Sequence, residues 1–297
     1  GWIMNKLGII GNPLSHTLSP DIHNSAISFF NLNLVFEKWE LEKVDLKKFF
    51  NDAFKKNIIG GCITIPHKEN VLEFFNDYDE SVERIGAANW FKIEKGKIKG
   101  FNTDCEGFEK CIPSSLFKNI SEKKCIIFGA GGSSKAVTEA LYRNKVKDLT
   151  IVNRTPTKAK LISDKYKDIK IKIIDLNKIN ILKNEIENSD LIVNTTSVGM
   201  SSGLNPNSNL IEGYKLKKNV TGIDLVYSPL VTPFLQSIKD SNGVIVNGID
   251  MLIYQAQVGF EILTEKKCPF EIMKTALKLN WNVSIYNYMI ILGEKYV

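Results

Sequence analysis

Residues 123–136, KKCIIFGAGGSSKA, join an apolar strand to a glycine-rich turn and the start of a helix. In such a turn, Gly129 permits the sharp change of direction, and Gly131 lets the backbone approach a pyrophosphate seated at the helix N-terminus. Ser134 stands where glycine or alanine is usual, so the helix and strand are expected to pack slightly less closely. The strand–turn–helix context predicts a Rossmann-type dinucleotide site. The turn consists of Gly129, Ala130, Gly131, Gly132 and Ser133.

The next strand indicates which dinucleotide is bound. It ends in TIVNRT (150–155), where a protein that binds NAD usually places an acidic residue against the ribose hydroxyls. This chain has Asn153, Arg154 and Thr155 there, with Lys158 nearby. Guanidinium and hydroxyl groups can bind a 2′-phosphate, which a carboxylate would repel. The sequence therefore predicts NADP as the cofactor; the alternative is that Arg154 is a surface residue in a helix-initiating turn.

Strands and helices alternate along the whole chain. Three early segments have the composition of strands: KLGIIGNP (6–13), LVFEKWEL (34–41) and IIGGCITIP (58–66). Between them, Ser19 as N-cap and Pro20 as first helical residue predict one helix, and VDLKKFFNDAFKK (44–56) predicts another. After the glycine-rich turn, a second series of strands and helices continues. The alternation predicts an α/β fold with two domains, each with a mostly parallel sheet covered by helices on both faces.

The overall composition excludes several classes of protein. Of the 297 residues, 43% are hydrophobic and 24% are charged, which is typical of a globular protein. The 39 Lys and Arg outnumber the 33 Asp and Glu, but many opposite charges are interleaved. Because aromatic residues do not alternate with a basic cluster, we expect no nucleic-acid partner. No apolar run reaches the roughly 18 residues of a membrane span, and the N-terminus does not resemble a signal peptide, so we expect no membrane partner.

The cysteines indicate a reducing compartment. There are five, with no CxxC pair and no metal-like spacing to the three histidines. This usage predicts free thiols in a cytoplasmic protein and no metal site.

Three polar segments are candidates for chemistry. Lys68 follows the strand that ends in ITIP, Asn89 closes the apolar segment IGAAN, and Asp104 ends GFNTD. Polar groups at strand ends are where α/β proteins gather their ligand sites. A lysine held by a carboxylate could pass a proton to a substrate oxygen, and its positive charge would favour a developing alkoxide. On spacing alone, however, an exposed surface lysine is the commoner outcome.

Nine ordered segments resemble the shikimate dehydrogenase family. They are GNPLSHTLSPDIHN (11–24), ITIPHKEN (63–70), IGAAN (85–89), GFNTDCEGF (100–108), FGAGGSSKA (128–136), VNRTPTKA (152–159), VNTTSVGM (193–200), DLVYSPLVTPF (224–234) and NGIDMLIYQAQVGFE (247–261). The resemblance implies reversible, NADP-dependent reduction of 3-dehydroshikimate to shikimate, a step towards chorismate and the aromatic amino acids. It also implies a small-molecule substrate held in a cleft between two domains.

The resemblance implies a division of the chain as well. We expect a substrate-binding and catalytic domain at residues 4–115 and a Rossmann-type NADP domain at 116–247. The remaining residues, 248–297, would form helices that return to the first domain. Whether the protein is a monomer or a homodimer stays open.

The family's site residues fall on matching positions of this chain. The resemblance implies that Lys68 is the proton donor and acceptor, that Asp104 orients it, and that hydride comes from the nicotinamide C4. The implied substrate contacts are Asn89, Thr64 and Gln255 for the ring hydroxyls, and Thr17, Ser19 and Tyr227 for the carboxylate. The stretches along the nicotinamide contain Thr195, Thr196, Gly248 and Met251. For Thr195 and Thr196, a role as strand-end caps is an equal alternative.

Three residues depart from the family pattern. Thr17 stands where serine is usual and adds a methyl group that stiffens χ1. Trp90 stands where threonine is common, either as a core residue or as part of the pocket wall. Asp250 stands where glycine is frequent; it would either stabilise the oxidised nicotinamide or point to solvent.

Nearby residues have simpler interpretations. We expect His67 to stabilise its turn, His23 to pack at a helix start, and Cys105 to be unreactive.

Two alternative functions remain at this point. Related dehydrogenases also oxidise quinate, often with NAD, and some domains of this kind sense a ligand without turnover. Ser19 and the segment 153–155 favour shikimate and NADP. The presence of Lys68 and Asp104 favours an enzyme.

Overall fold

The structure, a computed structural model, describes residues 3–277, so part of the predicted C-terminal segment, 278–297, lies outside the described residues. Within the described range, the strands form two six-stranded sheets. The first contains β1 (Asn5–Gly11), β2 (Leu34–Glu40), β3 (Ile58–Ile63), β4 (Asp77–Tyr78), β5 (Trp90–Glu94) and β6 (Lys97–Phe101). The second contains β7 (Lys124–Phe128), β8 (Asp148–Asn153), β9 (Lys172–Asp175), β10 (Leu191–Asn194), β11 (Thr221–Asp224) and β12 (Val244–Val246).

Helices cover both sheets. They are α1 (Ser19–Phe29), α2 (Leu46–Ala53), α3 (Glu80–Ile85), α4 (Asp104–Cys111), α5 (Ser114–Phe117), α6 (Gly132–Arg143), α7 (Pro156–Ser163), α8 (Ile179–Glu187), α9 (Pro233–Asp240), α10 (Gly248–Thr264) and α11 (Phe270–Thr275). Among residues 3–277, none of them is long and apolar enough to cross a membrane.

The second sheet is a Rossmann-type sheet. Its strands are all parallel and follow the order β12-β11-β10-β7-β8-β9. Read from the other edge, this is the doubly wound order, which changes direction between β7 and β10. The glycine-rich turn follows β7 and therefore lies at the crevice where such sheets bind ligands. The predicted α/β fold is confirmed.

The first sheet is mixed. Its strand order is β2-β1-β3-β5-β6-β4, in which β1 pairs in parallel with β2 and β3, while β5 is antiparallel to both β3 and β6. A two-residue turn joins β5 to β6, and both of its residues, Lys95 and Gly96, have positive φ, at 49° and 73°. This is the hairpin geometry that suits the twist of the flanking strands.

The predicted start of the first helix is wrong by one residue. Leu18 already has helical angles, φ −92° and ψ −7°, and its carbonyl accepts the N–H of Ile22. Ser19 is therefore the first helical residue instead of the N-cap, and its side chain does not cap the helix. The predicted strands at 6–13, 34–41 and 58–66 correspond to β1, β2 and β3, and the helix at 44–56 corresponds to α2.

Helix α4 joins the two halves, because it packs against α10 and α6. Beside it, Glu139 of α6 is fully buried and binds Arg84 of α3. Arg84 donates from Nη2 at 2.6 Å and from Nε at 2.8 Å, Arg143 donates at 3.1 Å, and the Tyr166 hydroxyl donates at 2.8 Å. Burial alone would raise the pKa of Glu139, but the bonds from Arg84 and Tyr166 outweigh it and hold the pKa below its ordinary value.

Candidate active site

Three strands of the first sheet bring polar residues to one edge. Strand β3 ends there, and because β5 is antiparallel to it, β5 begins at the same edge and β6 ends at it. Lys68 follows β3, Asn89 precedes β5, and Asp104 follows β6. Backbone bonds hold the segments together: Asn89 N–H donates to Phe101 O at 3.0 Å, and Ala88 N–H donates to Lys68 O at 2.8 Å. The topology therefore explains why segments distant in sequence meet.

Lys68 and Asp104 form an ion pair at this edge. Lys68 Nζ donates to Asp104 Oδ2 at 2.7 Å, and the side chains are 22% and 11% exposed. Asp104 is the first residue of α4, where the free backbone N–H groups and the helix dipole favour a carboxylate. The arrangement orients the ammonium group while leaving the Lys68 side chain partly accessible.

The helix of the glycine-rich turn lies next to the loop of Lys68. Glu69, adjacent to Lys68, accepts a bond from Lys135 Nζ of α6 at 3.0 Å. This pair links the loop of Lys68 to the helix that begins at Gly132.

A hydrogen-bonded network lies beside Lys68 and Asp104. Asn89 Oδ1 accepts the backbone N–H of Thr103 at 2.7 Å, and Asn89 Nδ2 donates to Thr103 Oγ1 at 3.0 Å. Thr103 Oγ1 in turn donates to the carbonyl of Gln255 in α10 at 3.0 Å. The sequence marked the polar segment GFNTD as a candidate for chemistry, but we assigned no contact to Thr103, which lies in it between Asn102 and Asp104.

The hydroxyl residues lie at the start of α1 and in the turn after β3. Thr17 Oγ1 accepts the N–H of Ser19 at 3.3 Å. Thr64 lies in the turn after β3 and donates its N–H to Ile10 at 2.8 Å. Thr17 and Ser19 are thus brought together.

Tyr227 comes from the other half of the chain. It follows β11 and packs against the apolar cluster of the first sheet that includes Leu14 and Trp90. Burial raises its pKa. Within the described residues it forms no hydrogen bond to Thr17 or Ser19, and its part in binding the carboxylate stays a prediction.

The glycine-rich turn fits a phosphate group. Gly129 has φ +110°, and a Cβ there would overlap the hydroxyl of Thr195, so this position requires glycine. Around Gly131 and Gly132, by contrast, a Cβ would meet no atom within 4 Å, which leaves open space. Gly131 is the N-cap of α6 and offers no side-chain cap, so the first N–H groups of the helix can bind an anion.

The predicted 2′-phosphate residues lie together at the end of β8 and in the segment that follows it. Asn153 Nδ2 donates to the carbonyl of Thr155 at 3.0 Å, which shapes the turn before α7. Arg154, Thr155 and Lys158 are exposed. In the described part of the chain, Arg154 forms no ion pair, so its charge is available to a ligand.

The predicted nicotinamide residues have structural roles as well. Thr195 Oγ1 donates to Phe128 O at 2.6 Å, and Thr196 Oγ1 donates to Asn194 Oδ1 at 2.7 Å, so both hydroxyls cap strand ends. A Cβ at Gly248 would overlap the carbonyl of Leu225, which explains the glycine. Met251 is buried in the first turn of α10.

The neighbouring histidines serve packing. His67 is buried, and its Nε2 lies 2.6 Å from Leu41 O, which ties the turn before Lys68 to the loop after β2. His23 is fully buried and stacks on Phe36 at 5.0 Å, with both ring nitrogens unpartnered. Burial lowers the pKa of His23 to about 3, so this ring is neutral.

Cys105 and Asp250 face the protein interior. Burial raises the pKa of Cys105 to about 12, consistent with an unreactive thiol. Burial also raises the pKa of Asp250, whose Oδ1 is enclosed and has no partner. Of the neighbouring charges, Lys274 of α11 lowers the pKa of Asp250 and Glu271 raises it. Among residues 3–277, no cluster of His, Cys, Asp or Glu could hold a metal ion.

Comparison with known proteins identifies the family. Three family descriptions match successive parts of the chain: the shikimate dehydrogenase substrate binding domain at residues 9–91, shikimate/quinate 5-dehydrogenase at 112–241, and the shikimate 5′-dehydrogenase C-terminal domain at 248–278. The NADP(+) shikimate dehydrogenase of Methanococcus maripaludis (strain C6) is 37% identical over 273 residues, which is 91% of this chain and 95% of the relative. The chain belongs to the shikimate dehydrogenase family.

Solved structures of shikimate dehydrogenases have the same fold. A shikimate dehydrogenase in complex with NADP+ has a TM-score of 0.84 and 32% identity, covering 92% of this chain and 94% of that one. Shikimate 5-dehydrogenase from Listeria monocytogenes, in complex with shikimate and NAD, has a TM-score of 0.85 and 27% identity, covering 92% and 96%.

Proposed function

We propose that this protein catalyses the reversible, NADP-dependent interconversion of shikimate and 3-dehydroshikimate, as its relatives' names indicate for them. The observation that carries the proposal is the Lys68–Asp104 ion pair of 2.7 Å, beside the loop whose Glu69 binds Lys135 in the helix that follows the glycine-rich turn. An accessible ammonium group beside a dinucleotide turn suits proton transfer to a carbonyl oxygen that is being reduced.

Lys68 is the proposed acid in the direction of reduction. When bound, NADPH would supply the hydride that the carbonyl carbon receives. Lys68 Nζ donates a proton to the oxygen that becomes the new hydroxyl, and its positive charge stabilises the developing alkoxide. Asp104 holds Nζ in position, and the 22% exposure of the Lys68 side chain lets water return the proton. In the direction of oxidation, Lys68 takes the proton of the hydroxyl.

The proposed substrate contacts surround this pair. Thr17 and Ser19, with Tyr227, bind the carboxylate through hydroxyl donors, which adds no further buried charge. The ring hydroxyls bind Thr64, Asn89 and Gln255. Support comes from the network that joins Asn89 to Gln255 next to Asp104.

The proposed cofactor contacts lie on the second sheet. The turn from Gly129 to Ser133 would hold the pyrophosphate, and Asn153, Arg154, Thr155 and Lys158 would bind the 2′-phosphate. The nicotinamide would lie along Thr195, Thr196, Gly248 and Met251. Support comes from the open space at the turn and from the unpaired charge of Arg154.

We also propose that residues 4–115 form the substrate domain, that 116–247 form the cofactor domain, and that the chain from 248 onward returns to the first domain. The contacts of α10 with α4 and β3 support this division. A cytoplasmic location is proposed because the five cysteines are buried and unpaired.

The decisive test is a kinetic comparison of Lys68→Met with wild type. Initial rates are followed by the absorbance of the reduced cofactor, NADPH or NADH, for shikimate and for quinate, each with NADP and with NAD. Wild type should turn over chiefly shikimate with NADP. Lys68→Met should lower kcat by about 10²–10⁴-fold, the usual contribution of a positioned acid or base, while shikimate still binds.

A matched control is Lys92→Met. Lys92 lies on β5 of the same sheet with a similar side-chain exposure of 25%, but within residues 3–277 its only ion pair is with Glu94. It should retain wild-type rates. If Lys68→Met kept near-normal turnover, the proposed role of Lys68 would be wrong; no turnover by wild type with any pair would overturn the proposed function.

A further inference from the structure

Trp90 connects the core of the first sheet to the network beside Lys68. It is the first residue of β5 and is fully buried. Its indole Nε1 donates to Gln255 Oε1 at 3.2 Å. Since an indole N–H is a donor only, the atom facing it must be an oxygen and not the amide nitrogen. This contact therefore determines which end of the Gln255 amide faces Trp90.

The orientation of Asn89 is fixed independently. Its Oδ1 accepts the backbone N–H of Thr103 at 2.7 Å, and a backbone N–H can only donate. Asn89 Nδ2 must therefore face the other way, where it donates to Thr103 Oγ1 and, at 3.4 Å, to Gln255 Oε1. Asn89 is thus a second donor to the same oxygen.

The Gln255 amide is consequently held in one orientation. Its Oε1 accepts from Trp90 and Asn89, and its Nε2 donates to Leu252 O at 2.8 Å. Rotating the amide by half a turn would place Nε2 against two donors and Oε1 against a carbonyl oxygen. In the observed orientation both lone pairs of Oε1 are used, while one Nε2 proton remains for a ligand. Gln255 can therefore offer a ligand a donor but no acceptor.

Packing fixes the indole that imposes this orientation. A Cβ at Gly259, one turn beyond Gln255 on α10, would overlap the ring of Trp90, so the indole lies directly on the helix backbone. His23 packs against the indole edge to face, with ring centroids 5.2 Å apart. On the other side of α10, a Cβ at Gly107 would lie 2.9 Å from Gln255 N, so α4 also contacts the helix closely there. Close contacts therefore hold the indole and the Gln255 backbone in place.

We propose that Trp90 is a positioning residue that holds the Gln255 amide as a hydrogen-bond donor to a ring hydroxyl oxygen of the substrate. The inference rests on the proposed function, because it assigns the ligand of Gln255 as that substrate. Trp90 thereby acts on affinity and on the choice of hydroxyl pattern, without touching the reacting atoms. Trp90, which departs from the family pattern, is thus both a core residue and a determinant of the pocket.

The first test replaces the donor and keeps an aromatic ring. Trp90→Phe should raise the KM for shikimate by about five- to tenfold, the loss expected for one hydrogen bond. Its kcat and its KM for NADP should stay within about twofold, because the lost interaction binds ground state and transition state equally. The control is Trp39→Phe, in which the lost indole bond goes to Glu37, away from the site; it should leave the KM for shikimate unchanged.

The second test displaces the indole and keeps its N–H. Gly259→Ala pushes the ring away from α10 and should raise the KM for shikimate in the same way. Gly259→Ala therefore tests the role of Trp90 even if Trp90→Phe does not fold. Combined with Trp90→Phe, Gly259→Ala should add little, because the two changes remove one interaction.

The outcomes separate the two proposals. An unchanged KM for shikimate in both variants, or an equal rise in the KM for NADP, would overturn the role of Trp90 while the proposed function stands. Absence of shikimate turnover in wild type would overturn both.

Discussion

Replacing Glu139 by glutamine should destabilise the protein without touching the cleft. The carboxylate is fully buried and accepts hydrogen bonds from Arg84, Arg143 and Tyr166. Glutamine keeps the shape but loses the charge and turns one acceptor into a donor that faces other donors. Removing one partner of a buried pair costs about 3–5 kcal/mol when the other charge is left buried.

The exposure of the arginines reduces this cost. The side chains of Arg84 and Arg143 are 34% and 36% exposed, so water can solvate both guanidinium groups once the carboxylate is gone. We therefore expect a loss of about 2–3 kcal/mol in the free energy of unfolding. For a chain of this size, the melting temperature should fall by roughly 5–10 °C.

The effect should depend on pH in a defined direction. The pKa of Glu139 in the folded protein lies below its ordinary value of 4.5, because the bonds from Arg84 and Tyr166 outweigh burial. Its contribution to stability is therefore present above pH 4.5 and is lost as the pH falls through the lower, folded-state pKa. The difference between wild type and Glu139→Gln should be largest near neutral pH and should narrow in acid.

Thermal unfolding followed by far-UV circular dichroism, at neutral and acidic pH, measures both effects. The control is Lys160→Met, which breaks the exposed pair with Asp164 and should change stability by less than about 0.5 kcal/mol. Equal melting temperatures of Glu139→Gln and wild type at neutral pH, or a difference that widens in acid, would refute the reasoning.

Two further changes address the cofactor site. Arg154→Ala should raise the KM for NADP by about 10- to 100-fold, the loss of a charge-assisted hydrogen bond, and leave the KM for NAD nearly unchanged; an unaltered KM for NADP would contradict the 2′-phosphate assignment. Gly129→Ala should weaken the binding of both dinucleotides and lower stability by about 1–3 kcal/mol, because φ is +110° and the methyl group overlaps Thr195. Cofactor titration and thermal unfolding would measure this, and a fully stable variant with normal affinity would exclude a tight turn.

Much of the second sheet could be predicted from the sequence, because its strands are short apolar runs that end in recognisable turns. The first sheet was harder. The only sequence signal for its antiparallel strands is the pair Lys95-Gly96, whose positive φ angles are typical of a hairpin turn. The start of α1 was misplaced because the backbone of Leu18 had already entered the helix, which a serine–proline pattern does not reveal.

The residues of the candidate site could be predicted from the sequence, but the hydrogen bonds that join them could not. The resemblance pointed to Asn89 and Gln255, yet their contact spans 166 residues of sequence. Thr103 joins that network by donating to the backbone carbonyl of Gln255, and Trp90 joins it by donating its indole N–H to the Gln255 side chain. Such contacts depend on how α10 lies against β5 and α4, and no local pattern specifies that packing.

The position of α4 constrains how the cleft can open. Its first residue is Asp104, one side rests on α6, and the other lies against α10 with no clearance at Gly107. Because α4 and α10 are in such close contact, any movement between the sheets should carry these two helices together. The carboxylate would then travel with Gln255 and keep its distance to the substrate contacts, while the glycine-rich turn is the part that approaches or withdraws.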